Sequence, residues 1–158
     1  MNRSSPVQDL RSGEPVPQRV SYLTARLDRL VRVALVEALS PHQVSLPEYT
    51  ALSILGRRAG LTNAQLARRT YVSPQAMHQI TDGLAARGLI ALAPGQAGGR
   101  LLPATLTDRG RDVLATCDAS VDVVEDRMMR GMRPWAREAL HEFLLECIAG
   151  LGGRPATP

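Results

Sequence analysis

Cysteine is scarce. Cys117 and Cys147 are the only two among 158 residues, too few for a disulfide-stapled scaffold or a four-thiolate zinc site, and the usage suits a reducing cytoplasm. Aromatic residues make up 3%, which argues against a single-strand nucleic-acid binder that stacks bases on rings. No apolar run approaches the ~18–20 residues of a membrane-spanning helix. The stretch from Met1 to Gly13 has no apolar core of a secretory leader, so no signal peptide and no membrane role are expected. Lysine is absent: all 19 basic residues are Arg, set against 15 acidic ones for a net charge of +4. Arg stays charged and grips phosphate bidentately. A basic chain of this size suggests a polyanionic partner, although genome composition accounts for uniform Arg usage equally well.

The chemistry of an enzyme is also missing. No glycine loop before a helix could cradle phosphate, and no nucleophile elbow or poised carboxylate pair is present. His42, Glu48, Cys117 and His141 match no tight ligand spacing, and no two His stand one helical turn apart, so no metal and no cofactor are expected.

What remains is helical patterning between two tails, residues 1–18 and 152–158, rich in Pro, Gly and Ser. Val20, Leu23, Leu27 and Leu30 recur at helical spacing in a first helix over about 19–39, broken by Ser40-Pro41. Ser45-Leu46-Pro47-Glu48 and Thr62-Asn63-Ala64-Gln65 are capping boxes; the first opens a helix predicted to end near Gly60, the second a short helix to Thr70. After the turn Tyr71-Val72, Ser73 caps a further helix with Pro74 at its first position, stopped by Gly88. Two short apolar runs, Leu89 to Leu92 and Leu101 to Leu106, flank the turn-forming stretch 94–99 and predict a hairpin; Pro103 marks its second strand as an edge. Thr107-Asp108 begins a long helix with a seam of Leu114, Cys117, Val121, Val124 and Met128. Pro134 opens the last helix, where Arg133 sits in place of a capping side chain. Both cysteines read as small buried hydrophobes without a basic neighbour to lower their pKa, a redox-sensing thiol being the minor reading of Cys117; Trp135 reads by default as simple packing, with an amphipathic ring at a dimer or pocket edge as the alternative.

The fold class is therefore mainly α with a small β-hairpin wing: a winged helix-turn-helix with flanking N- and C-terminal helices. The segments Leu46-Pro47-Glu48-Tyr49, Leu61 to Arg69, Val72-Ser73-Pro74-Gln75, Leu84 to Ile90 and Leu106-Thr107-Asp108-Arg109-Gly110 resemble the MarR family of bacterial transcription regulators in order and spacing. The resemblance covers about 19–151 and implies one domain, with 19–45 and 108–151 for dimerisation and 46–107 as the DNA-binding lobe. It implies a homodimer on a pseudo-palindromic operator of double-stranded DNA, usually a repressor, often released by a small aromatic or phenolic effector. Symmetry would set the two recognition helices ~34 Å apart. One departure stands out: where relatives carry an Asp-Arg-Arg-like run in the wing, this chain has Gly98-Gly99-Arg100.

On that basis the DNA-binding candidates are Thr62, Ser73, Gln75, Ala76, His78, Gln79, Arg57, Arg68, Arg69 and Arg100. Gln75, Ala76, His78, Gln79 and Asp82 share the outer side of the recognition helix, because Met77, Ile80 and Leu84 face inward; base readout would rest on amide and imidazole hydrogen bonds. Asp82 would need pairing, with Arg68, Arg69 or Arg87 available. For Arg57, Arg68 and Arg69 two readings stand, phosphate contact and favourable cations at helix C-termini. Tyr22, Arg26, His42 and Tyr49 would lie where relatives bind effectors; ordinary packing is the other reading. A rival function is a winged-helix interaction module or antirepressor that has lost DNA binding.

Overall fold

The computed structural model describes residues 19–93 and 103–153. They form α1 (Val20–Leu39), a 3-10 turn (Ser40–His42), α2 (Leu46–Arg57), α3 (Asn63–Thr70), α4 (Pro74–Ala86), β1 (Ile90–Leu92), β2 (Ala104–Leu106), α5 (Asp108–Met128) and α6 (Pro134–Gly150). The chain falls into two compact units, one ending at Val33 and the other starting at Ala34. In the first, Val20, Leu23, Leu27, Leu30 and Val33 are all exposed. Among the described residues no helix is long and apolar enough to cross a membrane.

Local chemistry places the helix starts of the second unit. Ser45 Oγ accepts from the Glu48 amide while Glu48 Oε2 accepts from the Ser45 amide at 2.7 Å. Thr62 and Gln65 repeat the arrangement for α3. Ser73 Oγ accepts from Ala76 N at 3.1 Å to open α4, and Arg133 makes no side-chain cap for α6. Each such cap satisfies amides that have no partner within the helix.

α2, α3 and α4 close on one core, in which Leu52, Leu66, Met77, Leu84 and Leu89 are fully buried with Cys117 of α5. Ile80 packs at its margin, partly buried. Thr81 is the buried polar residue there; its hydroxyl donates to the Met77 and His78 carbonyls at 3.1 and 3.0 Å. The α5 seam holds for Cys117, Val121 and Val124 and leaves the core at Met128.

Three expectations are corrected. α2 stops at Arg57 rather than near Gly60, because Gly60 is drawn toward the wing: its amide donates to Ala104 O at 2.9 Å, with φ +77°. β2 is not an edge where it begins. Ala104 pairs with Leu92 of β1 on one side and bridges to Leu61 on the other, so Pro103 stands just outside a doubly paired strand; Leu101 and Leu102 lie outside the described residues. Cys147 is exposed rather than buried, because α6 has no buried residue at all.

The hairpin root is joined to α5 at Thr107. Its hydroxyl donates to Gly88 O at 2.7 Å and accepts from Gly110 N at 2.9 Å, and its amide donates to Leu89 O. Gly110 lies so close beneath that a Cβ there would fall 1.9 Å from Leu89 O. This contact explains the glycine of the Leu106 to Gly110 segment.

Candidate nucleic-acid interface

α4 presents two faces. Met77, Thr81 and Leu84 are buried, and one side is turned to solvent, where Gln75, His78, Gln79 and Asp82 are exposed and Ala76 is half-buried. Ser73 is exposed at the N-cap of this helix and Thr62, half-buried, at that of α3. The two helix N-termini thus carry oriented amides of the kind that hold phosphate. Arg68 and Arg69 are exposed at the end of α3; Arg69 Nη1 also donates to its own helix at Gln65 O, 3.2 Å. Arg100 lies outside the described residues.

The outer face carries a side-chain network that sequence reasoning missed. Asn63, the first residue of α3, meets His78 Nδ1 through its Nδ2 at 2.9 Å. His78 Nε2 stands 3.8 Å from Asp82 Oδ2, one turn along α4. Asp82 therefore faces His78 and not the arginines expected to pair it. Arg87 is engaged with Glu48 Oε1 at 3.2 Å. The turn between α3 and α4 holds Tyr71 in a left-handed conformation, φ 56°, with its ring exposed. Nothing in its residue type signals that geometry, for which Gly or Asn is usual.

A separate cleft of about 610 Å³ lies between α2 and α5, lined among others by Tyr49, Arg57, Leu106, Arg111, Leu114 and Asp118. Arg57 thus stands on the cleft wall. Tyr49 donates through its hydroxyl to Asp118 Oδ1 at 2.8 Å. Burial, then this hydrogen bond, then the charges of Asp118 and Glu125 push the phenol above the usual tyrosine range. His42 Nε2 sits 2.8 Å from Ser120 Oγ on the same helix α5, outside the cleft lining. Tyr22 and Arg26 are exposed on the first unit. Cys117 is raised by burial and by Asp118, with Arg87 pulling the other way; that cation is the basic neighbour the sequence did not reveal. Among the described residues no group of three His, Cys, Asp or Glu could hold a metal ion.

A helix-turn-helix with an exposed polar second helix, followed by a hairpin rooted on a long helix, defines the winged helix-turn-helix class. A profile of the MarR family matches residues 42–101. The HTH-type transcriptional repressor Rv2887 of Mycobacterium tuberculosis is 38% identical over 120 residues, 75% of this chain and 86% of the relative. The crystal structure of the Mycobacterium tuberculosis MarR family protein Rv2887 in complex with DNA is similar at 32% identity and TM-score 0.70, covering 82% of this chain and 97% of that one. Its complex with salicylic acid gives 31% identity and TM-score 0.67, over 87% and 98%. The chain belongs to the MarR family of transcriptional regulators.

Proposed function

We propose that this chain is a repressor that binds double-stranded DNA as a homodimer and answers to a small aromatic ligand. The observation that carries the reading is the exposed polar face of α4, Gln75, His78 and Gln79, on a helix whose other side is locked into the core. Such a helix lays its N-terminal residues against base edges in the major groove. Thr62, Ser73 and Ala76 at the helix starts, with Arg68 and Arg69, would hold the flanking phosphates. The similar Rv2887 protein was solved with DNA.

A second copy accounts for apolar surface that would otherwise be costly in water. On α1, Val20, Leu30 and Val36 are exposed; on α6, Trp135, Phe143 and Ile148 are. An obligate interface of this kind buries ~2,000–5,000 Å².

The cleft beside Tyr49 is the effector site in this reading. Arg57 can take a carboxylate, and Arg111 would join it on leaving Asp108 and the Leu106 carbonyl, while Tyr49, Leu106 and Leu114 receive a ring. Rv2887 was solved with salicylic acid and with p-aminosalicylic acid. A ligand weakens DNA binding only through its unequal affinity for the bound and free shapes.

The test is binding of the purified protein to duplexes selected from a random pool, read by fluorescence anisotropy across a salt series and repeated with salicylate. Selection of an inverted repeat, bound by two chains and released by salicylate, is the expected result. No selected duplex would end the DNA reading. A monomer at micromolar concentration would end the dimer.

A further inference from the structure

We propose that Asn63 and Asp82 fix the tautomer of His78, so that its imidazole offers DNA a hydrogen-bond donor at Nε2 and selects a base edge bearing an acceptor. The inference rests on the DNA reading above and adds the chemistry of one contact.

A neutral imidazole carries one N–H and one lone pair, and its partners decide which nitrogen has which. Asn63 Nδ2 is the atom facing His78 Nδ1, at 2.9 Å. An amide NH2 can only donate, so Nδ1 accepts and the proton resides on Nε2. Asp82 acts in the same sense: its Oδ2 lies 3.8 Å from Nε2, and a carboxylate disfavours a lone pair pointed at it. Turning the Asn63 amide over is disfavoured by its other end. Among the described residues Asn63 Oδ1 is buried with no hydrogen-bond partner; the flip would put an NH2 there, stranding two donors in place of one acceptor. It would also turn the Nε2 lone pair toward Asp82.

The 3.8 Å separation leaves the Nε2–H beyond hydrogen-bonding distance of Asp82. The ring is exposed on the outer face of α4, so this donor is free for a partner. In the major groove the acceptors are guanine N7 and O6, adenine N7 and thymine O4, whereas cytosine N4 and adenine N6 donate. Gln75 and Gln79 carry both a donor and an acceptor and can read either kind of edge. His78, preset by a residue of the preceding helix, reads one kind. Asn63 and Asp82 are positioning residues in this account.

Nitrogen-15 NMR of the histidine rings in the free protein tests the first half. Wild type should show His78 protonated at Nε2 with a bare Nδ1, and Asn63→Asp, whose carboxylate only accepts, should place a proton on Nδ1. Should that variant fold poorly in thermal denaturation, Asn63→Leu removes the amide without adding charge and should give a mixture of tautomers. Duplex selection tests the second half. The base pair at which His78→Ala loses preference is located, and the acceptor atom there is deleted chemically, by 7-deazapurine for N7 or a thymine analogue lacking O4. The deletion should weaken wild type about five- to tenfold, the worth of one hydrogen bond, and leave His78→Ala unchanged. Asn63→Leu, with its mixed tautomers, should lose part of the preference at that pair and keep it elsewhere. An Nδ1–H tautomer in wild type, a contact to cytosine N4, or no pair relaxed by His78→Ala overturns the proposal while leaving DNA binding intact. Failure to select any duplex overturns both.

Discussion

Arg87, at the C-cap of α4, donates through Nη1 to Glu48 Oε1 at 3.2 Å, while Oε2 of the same carboxylate closes the capping box at the start of α2. One side chain thus ties the end of α4 to the beginning of α2. The pair is half-exposed, at 36% for Arg87 and 19% for Glu48, which keeps the ion pair itself within ~0–1 kcal/mol. The cap adds ~1 kcal/mol. Glu48→Ala should therefore cost about 1–2 kcal/mol and Arg87→Ala less than half of that, measured by urea denaturation. Equal losses would show that the carboxylate serves the bridge alone.

Two glycines should respond to alanine with opposite signs. At Gly110 the new methyl would meet Leu89 O at 1.9 Å, and the backbone shift should cost at least ~1–3 kcal/mol. At Gly83, inside α4, nothing among the described residues lies within 4 Å of a Cβ, so Gly83→Ala should stabilise by ~0.5–1 kcal/mol through helix propensity. Thermal midpoints of the two variants beside wild type decide the matter.

Phosphate and base contacts separate in a salt series. Arg68→Ala should weaken all duplexes alike and flatten the dependence of log K on log salt by ~0.9, the share of one neutralised phosphate. Gln75→Ala should keep the slope and lose discrimination between sites by ~1–3 kcal/mol. If Arg68→Ala left the slope unchanged, the residue would be serving the helix C-terminus only.

The Tyr49 phenol is raised in the folded state, and the sign of its effect follows. The unfolded chain ionises it near the ordinary value of about 10, before the folded protein does. Its contribution is intact below that pH and is lost as pH climbs beyond it. In the variant Tyr49→Phe the steepness of alkaline destabilisation should be reduced, as followed by denaturation at successive pH values above 9. An unchanged profile would mean that neither burial nor the bond to Asp118 raises the phenol in the folded state.

The parts legible in the sequence were those decided within four residues. Ser45 with Glu48 and Thr62 with Gln65 announce their helices because each cap is made locally. The inward set of α4 was legible from its period, except that Thr81 shares it: a hydroxyl can be buried there because it bonds back to its own helix. Contacts between distant elements left no such trace. Asp82 faces His78, and Arg87 pairs with Glu48, 39 residues away in sequence. The doubly paired Ala104 depends on Leu61, far away in sequence. Exposure of Cys147 follows from a helix whose apolar side finds no cover among the described residues, a fact no periodicity reveals.

Thr107 gripping Gly88 and Leu89, with Gly110 wedged under the same carbonyl, leaves α5 no slack where it meets the wing. A twist of that long rod about its axis would carry the root of the hairpin with it, in the manner of a crankshaft.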